Sequence, residues 1–278
     1  MSHGTSVRNA LRRLPARLAA PFLGPLLGIL TVIAWAPGAS CQITDDFKPP
    51  QATCCLQMFA QRLADQLQDW NQLGRYHADD LRLMSAPAEA HRVVFLGDSI
   101  TDGWNLAQFF PGKPYVNRGI SGQTTPQMLA RMFPDVIDLK PEALIILAGT
   151  NDIARNTGPE TLTMIEENFQ AMAELAQAHG VKVIVCLLTP VSDYTLGHDN
   201  QANRQTEHRP PADILKVNAW LRDYAPAHHL GVADYYSALV DDKGMLRSGY
   251  SDDGLHPNAK GYGLLAPVAE AAIEKALH

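Results

Sequence analysis

From residue 92 onward, short apolar runs alternate with stretches of helical periodicity. "RVVFLG" (92–97), "YVNRGI" (115–120), "ALIILAG" (143–149), "VKVIVCLL" (181–188) and "HLGVADY" (229–235) read as strands, and residues 124–138, 160–179, 211–225 and 258–277 read as helices. Strands that are apolar along nearly their whole length are buried on both faces, the condition of a parallel sheet with helices on each side. The pattern therefore predicts an α/β domain: a doubly wound, flavodoxin-like five-stranded parallel sheet with the expected strand order 2-1-3-4-5. Ahead of it, Leu56, Phe59, Leu63, Leu67, Trp70 and Leu73 recur at steps of three and four. That spacing predicts an extra amphipathic helix over 54–76, packed on the domain.

The first forty residues follow another pattern. Arg8, Arg12, Arg13 and Arg17 form a basic stretch without an acid, residues 18–36 are almost wholly apolar, and "APGAS" precedes Cys41. This is the layout of a secretory signal, and it divides the chain into a removable 1–40, an extension over 41–90 and a main domain over 91–278. An uncleaved anchor is the alternative, but Pro21 and Pro25 disfavour a spanning helix. Cys41 as a lipidated first residue fits less well, because Gly38 stands where a lipobox carries leucine. The expected product is exported, to the periplasm or outside the cell, with no stable membrane insertion after processing.

Composition adds limits. With 278 residues, 46% hydrophobic and 19% charged, the chain has material for a large core. Removing residues 1–40, which hold four arginines and no acid, takes the formal charge from −6 to −10. A chain that acidic does not seek nucleic acid or anionic lipid. Cys186 lies in a core strand as a small buried hydrophobe, whereas Cys41 is free to pair with Cys54 or Cys55 in an oxidising compartment. Metal-ligand spacings are not evident, and neither metal nor cofactor is expected. An oligomeric state is not specified.

In open α/β sheets, ligands bind outside the carboxyl ends of the strands, and here those ends are unusual. The first is followed by Gly97-Asp98-Ser99, the second by "NRGISG" with Gly119, the third by "GTND" with Asn151, and the fifth, after a further loop, by "SDDGLHPN" with Asp253 and His256. A serine hydroxyl needs a base to become a nucleophile, and a histidine oriented by a carboxylate supplies one. Ser99, Asp253 and His256 are the candidates. The N–H of Ser99, the N–H of Gly119 and the amide of Asn151 are candidate donors to a tetrahedral oxyanion. Each has a plainer reading: Asp98 or Ser99 as a helix cap, Gly119 and Gly122 as turn glycines, Asn151 as a loop start, His256 as a surface residue at a helix entry.

"GDSITDGW", "NRGISG", "GTND" and "DGLHPN", in that order and spacing, resemble the four sequence blocks of the SGNH/GDSL hydrolases over roughly residues 91–275. Ile100 stands where the family name has leucine, and no G-x-S-x-G surrounds Ser99. The resemblance implies Ser99 as nucleophile and oxyanion donor, Gly119 and Asn151 as further donors, His256 as general base and Asp253 as its partner. It also implies a cofactor-free serine carboxylic-ester hydrolase. The family includes lysophospholipases, thioesterases, arylesterases and carbohydrate acetylesterases, so the substrate has to be read elsewhere.

The connection over 189–211 is long and polar, which argues against a cover for a long acyl chain. Trp104, Phe109, Phe110 and Tyr194 are candidates to wall a small acyl pocket or a sugar platform. The expected substrate is an acetyl to butyryl ester of a polar alcohol such as a carbohydrate. A lysophospholipase or longer-chain lipase is one alternative, and a catalytically silent glycan-binding module is another.

Overall fold

The computed structural model describes residue 64 and residues 67–87, 89–195 and 204–278. The expectations for the leader, for Cys41, Cys54 and Cys55 and for the first part of the 54–76 helix lie outside the described residues. Among the described residues no helix is long and apolar enough to cross a membrane.

Five parallel strands form one sheet: β1 Val93–Gly97, β2 Tyr115–Gly119, β3 Ala143–Leu147, β4 Lys182–Cys186 and β5 Gly231–Ala233, in the order β2-β1-β3-β4-β5. The main helices are α1 His77–Ser85, α2 Thr125–Ala130, α3 Leu162–Ala178, α4 Pro211–Ala227 and α5 Ala259–Leu277. Alternate strand residues supply two cores. Val94, Leu96, Leu144, Ile146, Val183 and Val185 meet α2, α3 and α4 on one face. Val93, Phe95, Ile145, Leu147, Ile184 and Cys186 meet α5 on the other, beneath Trp104, Phe110 and Tyr262. Each fully buried large apolar side chain contributes about 1.5–3 kcal/mol, so both faces of β1 and β3 are strongly specified.

Local chemistry sets the helix limits. Thr161 caps α3 by accepting from the N–H of Met164, and the buried Ile165, Phe169, Met172, Ala173 and Ala176 follow helical spacing. Pro211 opens α4, where its missing N–H costs nothing. Asn258 caps α5 through the N–H groups of Lys260 and Gly261.

The N-terminal expectation requires correction. Its apolar positions Leu67, Trp70 and Leu73 are exposed, and helix does not continue to residue 76. The Asp69 carboxylate accepts from the N–H groups of Leu73 and Gly74 at 2.7 and 2.8 Å, folding the chain into turns instead. A helix that the apolar spacing did not predict, α1, follows at once. Its Asp79 and Asp80 pair with Arg118 of β2 at 2.8 and 2.7 Å.

Register positions the site. Gly97 lies opposite both Gly119 and Leu147, so the chain leaves three adjacent strands at one level. The segments that begin there carry Ser99, Gly122 and Asn151.

Candidate active site

Ser99 opens a one-turn helix, Ser99–Asp102, directly after β1. Asp98 is its cap: the fully buried side chain accepts from the N–H of Ile100 at 2.9 Å. Burial pushes the Asp98 carboxyl up to about 6, against that hydrogen bond and the attraction of His256 and Arg209.

His256 Nε2 lies 2.8 Å from Ser99 Oγ, and Nδ1 lies 2.5 Å from Asp253 Oδ2. Burial alone raises Asp253, but hydrogen bonds from the His256 ring and from the N–H groups of His256 and Leu255 outweigh it and hold the carboxyl at about 2. An ionised carboxylate only accepts, so the proton between them sits on Nδ1. With the ring neutral, Nε2 then presents its lone pair to Ser99, whose hydroxyl donates. Such a series has the geometry in which a carboxylate-oriented histidine can act as base toward a serine hydroxyl.

The loop that carries His256 is bound into shape by its own residues. Ser251 Oγ donates to Asp253 Oδ1 at 3.1 Å and accepts from the N–H of Gly254 at 2.9 Å. Gly254 sits at φ +80°, and a Cβ there would lie 1.9 Å from the carbonyl oxygen of Ser192. No other residue type allows the 192 segment and this loop to meet so closely. Its carbonyl in turn accepts from the N–H of Ser192 at 2.8 Å.

On the opposite side, the structure redistributes the predicted donors. Gly119 does not offer its N–H to the site: that group donates to Asn117 Oδ1 at 2.8 Å. Its lack of a side chain serves another purpose, because a Cβ at Gly119 would lie 2.1 Å from the main-chain nitrogen of Asp102. The glycine lets the end of β2 pass against the Ser99–Asp102 turn. Gly122, three residues on, has an N–H with no acceptor among the described residues, as does Ser99. Asn151 is buried at the start of the Thr150–Ile153 turn. One N–H of its amide donates to the carbonyl of Gln123 at 3.0 Å, leaving the other unused one residue from Gly122.

Two residues that pattern reading missed stand close behind. Arg209 donates from Nη2 to Asn151 Oδ1 at 3.1 Å. The Tyr76 hydroxyl donates to the carbonyl of Gly119 while its ring lies under the Arg118 guanidinium, 4.6 Å away. Neither carries a sequence signal: Arg209 falls in a polar connection, and Tyr76 falls where a helix was expected.

The aromatic candidates divide. Trp104 and Phe110 are buried, and with the partly buried Phe109 they pack among Phe95, Tyr115, Tyr235 and Tyr262 beneath α5. They are core on the far face of the sheet, not a substrate wall; their clustering follows from seven large rings filling one layer. Tyr194 is exposed and donates its hydroxyl to Asp241 Oδ2 at 2.7 Å, apart from the Ser99 cluster's hydrogen bonds. Cys186 is free and buried, as expected.

This arrangement has counterparts. The chain is 37% identical to a protein of Bacteroides fragilis assigned as an acylhydrolase, whose solved structure superposes with a TM-score of 0.68 over 76% of this chain and 99% of that one. A GDSL-like lipase of Bacteroides thetaiotaomicron gives 36% identity and a TM-score of 0.67 over 74% and 99%. An acetylxylan esterase of Xylanibacter ruminicola is 25% identical over 70% of this chain and 45% of its own length. The chain spans about half the length of the sequence relatives it matches. Residues 95–264, which run from β1 through the His256 loop into α5, match the GDSL-like Lipase/Acylhydrolase family, and the chain belongs to that family.

Proposed function

We propose that the chain is a serine esterase that hydrolyses short acyl esters of a polar alcohol, a carbohydrate in particular, through an acyl-enzyme. The observation that carries this reading is the hydrogen-bonded series Ser99–His256–Asp253, at 2.8 and 2.5 Å. Ser99 Oγ attacks the ester carbonyl carbon and its proton passes to His256 Nε2. The carbonyl oxygen becomes an oxyanion, held by the N–H groups of Ser99 and Gly122 and the free amide hydrogen of Asn151. Collapse expels the alcohol, which takes the proton from Nε2, and Asp253 stabilises the imidazolium while it exists. Water then attacks the acyl-Ser99 carbonyl with His256 again as base, releasing the acid and the serine.

The acetylxylan esterase relative and the polar character of the connection over 189–211 support a short acyl group on a sugar. The lipase neighbour supports a second reading, a longer-chain lipase. The basic and apolar leader supports export before action. The test is kcat/KM for acetyl, butyryl, octanoyl and palmitoyl esters of one alcohol. A maximum at acetyl or butyryl is expected; a maximum at octanoyl or longer replaces the first reading with the second. An organophosphonate should label Ser99 alone, and an unlabelled, inert protein would leave the glycan-binding reading in place.

A further inference from the structure

Asn151 is held at its two amide atoms by groups of opposite kind. Oδ1 accepts from Arg209 Nη2 at 3.1 Å, and Nδ2 donates to the Gln123 carbonyl at 3.0 Å. A flipped amide would set N–H against guanidinium and oxygen against carbonyl, so one orientation alone satisfies both neighbours. That orientation aims the second Nδ2 hydrogen away from Gln123, where it is free.

Arg209 is costly to place. The residue is 8% exposed, and its Nε is buried without a partner among the described residues. Nη1 donates to Gln205 Oε1 at 2.9 Å, from the one-turn helix Gln205–His208 just before it. Pro210 and Pro211 follow and open α4, which fixes the direction in which the backbone leaves Arg209. At the other end of that turn Thr206 is bonded to Asp193 through its N–H, at 3.2 Å, and its hydroxyl. The guanidinium thus enters the site from a turn tied to Asp193 and continued directly into α4. A buried cation with an idle N–H costs free energy that its bonds to Asn151 and Gln205 offset only in part, and Asn151 is the uncharged site group it touches. Burial lowers the Arg209 pKa and the negative charges of Asp98 and Asp253 raise it, so the three groups share one electrostatic neighbourhood.

We infer that Arg209 is a positioning residue for the oxyanion site: it locks the Asn151 carboxamide so that its free N–H faces the developing oxyanion. This rests on the ester-hydrolysis reading and gives the connection after β4 a part in catalysis apart from any contact with substrate. Because Arg209 acts through Asn151, its loss cannot cost more than the loss of Asn151 itself, about 10²–10³ in kcat.

A double-mutant cycle on the full chain tests this. In the wild-type background Arg209→Met is expected to lower kcat by about 10- to 100-fold with KM changed less than about twofold, since the oxyanion exists only in the transition state. In an Asn151→Ala background the same substitution should change kcat by less than about threefold. Arg209→Lys, which keeps the charge but lacks the fork for Asn151 and Gln205 together, should recover part of the rate. An equal loss in both backgrounds, or a loss expressed in KM, overturns the inference. If Arg209→Met does not fold, as thermal melting would show, the cycle is run with Arg209→Lys under the same criterion. Phosphonate labelling of Ser99 in the same samples separates the two readings: an unlabelled wild type brings down the esterase, whereas a labelled one with an additive cycle brings down only the role of Arg209.

Discussion

The two halves of the proposed site, one for acid–base chemistry and one for the oxyanion, are built on different principles. The acid–base half is local: residues 251–258 contain His256, its carboxylate partner, the hydroxyl and main-chain groups that shape the loop, and the cap of the helix that follows. The oxyanion half is distributed. Gly122 and Asn151 depend on Gln123, whose side chain accepts from buried Arg131 at 2.6 Å and donates to the carbonyl of Asn71 at 2.9 Å. Arg131 also reaches Asp135 at 2.7 Å and the carbonyl of Gly97 at 3.1 Å. Tyr76 and Arg209 add supports from widely separated parts of the chain. A base needs orientation by one neighbour, whereas a donor cradle must be held on several sides by groups that do not move as charge develops.

The largest effect that tests this contrast lies in the local half. Ser99→Ala and His256→Ala should each lower kcat by about 10⁴-fold or more, and the double variant should lose little beyond either single one, because the groups act as a unit. Turnover kinetics with melting curves to verify folding provide the measurement. A strictly multiplicative double variant would show that Ser99 and His256 work independently.

Next comes the donor. Asn151→Ala should cost about 10²–10³ in kcat with KM nearly unchanged. Lost stability with normal turnover in the surviving folded protein would assign Asn151 to the fold instead.

A smaller effect belongs to the periphery of the distributed half. Tyr76→Phe keeps the ring under Arg118 and removes one hydrogen bond to the Gly119 carbonyl. A net hydrogen bond is worth about 0.5–1.5 kcal/mol, so kcat should fall by about two- to tenfold if that support is felt at Gly122. An unchanged kcat would confine the distributed half to the groups that touch Gln123 and Asn151.

The last effect falls on stability rather than turnover and is read through pH. Burial, and then the neighbouring Asp152, push the Glu160 carboxyl up to about 8, near the turn that carries Asn151. A carboxyl raised in the folded state favours folding below its ordinary value near 4.5 and loses that contribution as pH rises through about 8. Wild-type melting temperature should therefore decline across that window more steeply than that of Glu160→Gln, which has no proton to lose. Parallel slopes would remove Glu160 from the supports of the Asn151 turn.

The same division governs what was readable in advance. Ser99, Asp253 and His256 were legible because a short loop and a strand end carry their chemistry in contiguous residues. Gly119 was misread for a related reason: two glycines in "NRGISG" look alike in one dimension, and only the packing of β2 against Asp102 tells which relieves a clash and which has a free N–H. Trp104 and Phe110 stood near the nucleophile in sequence, yet the β1 turn directs them to the opposite face of the sheet.

Taken alone, the sequence determined the five strands and the main helices, because burial on two faces writes a nearly unbroken apolar run and amphipathic helices write their spacing; the order followed from the general rule for doubly wound sheets, and the structure has it. It also marked Ser99 and the short loop with Asp253 and His256 as the candidate site. The tertiary structure alone decided that Asp69 breaks the expected N-terminal helix, that Tyr76 and α1 pack against β2, and that Arg209 reaches Asn151 across 58 residues of chain. Those contacts join groups whose pairing depends on where the backbone brings them. No local period or motif records a partner that far away.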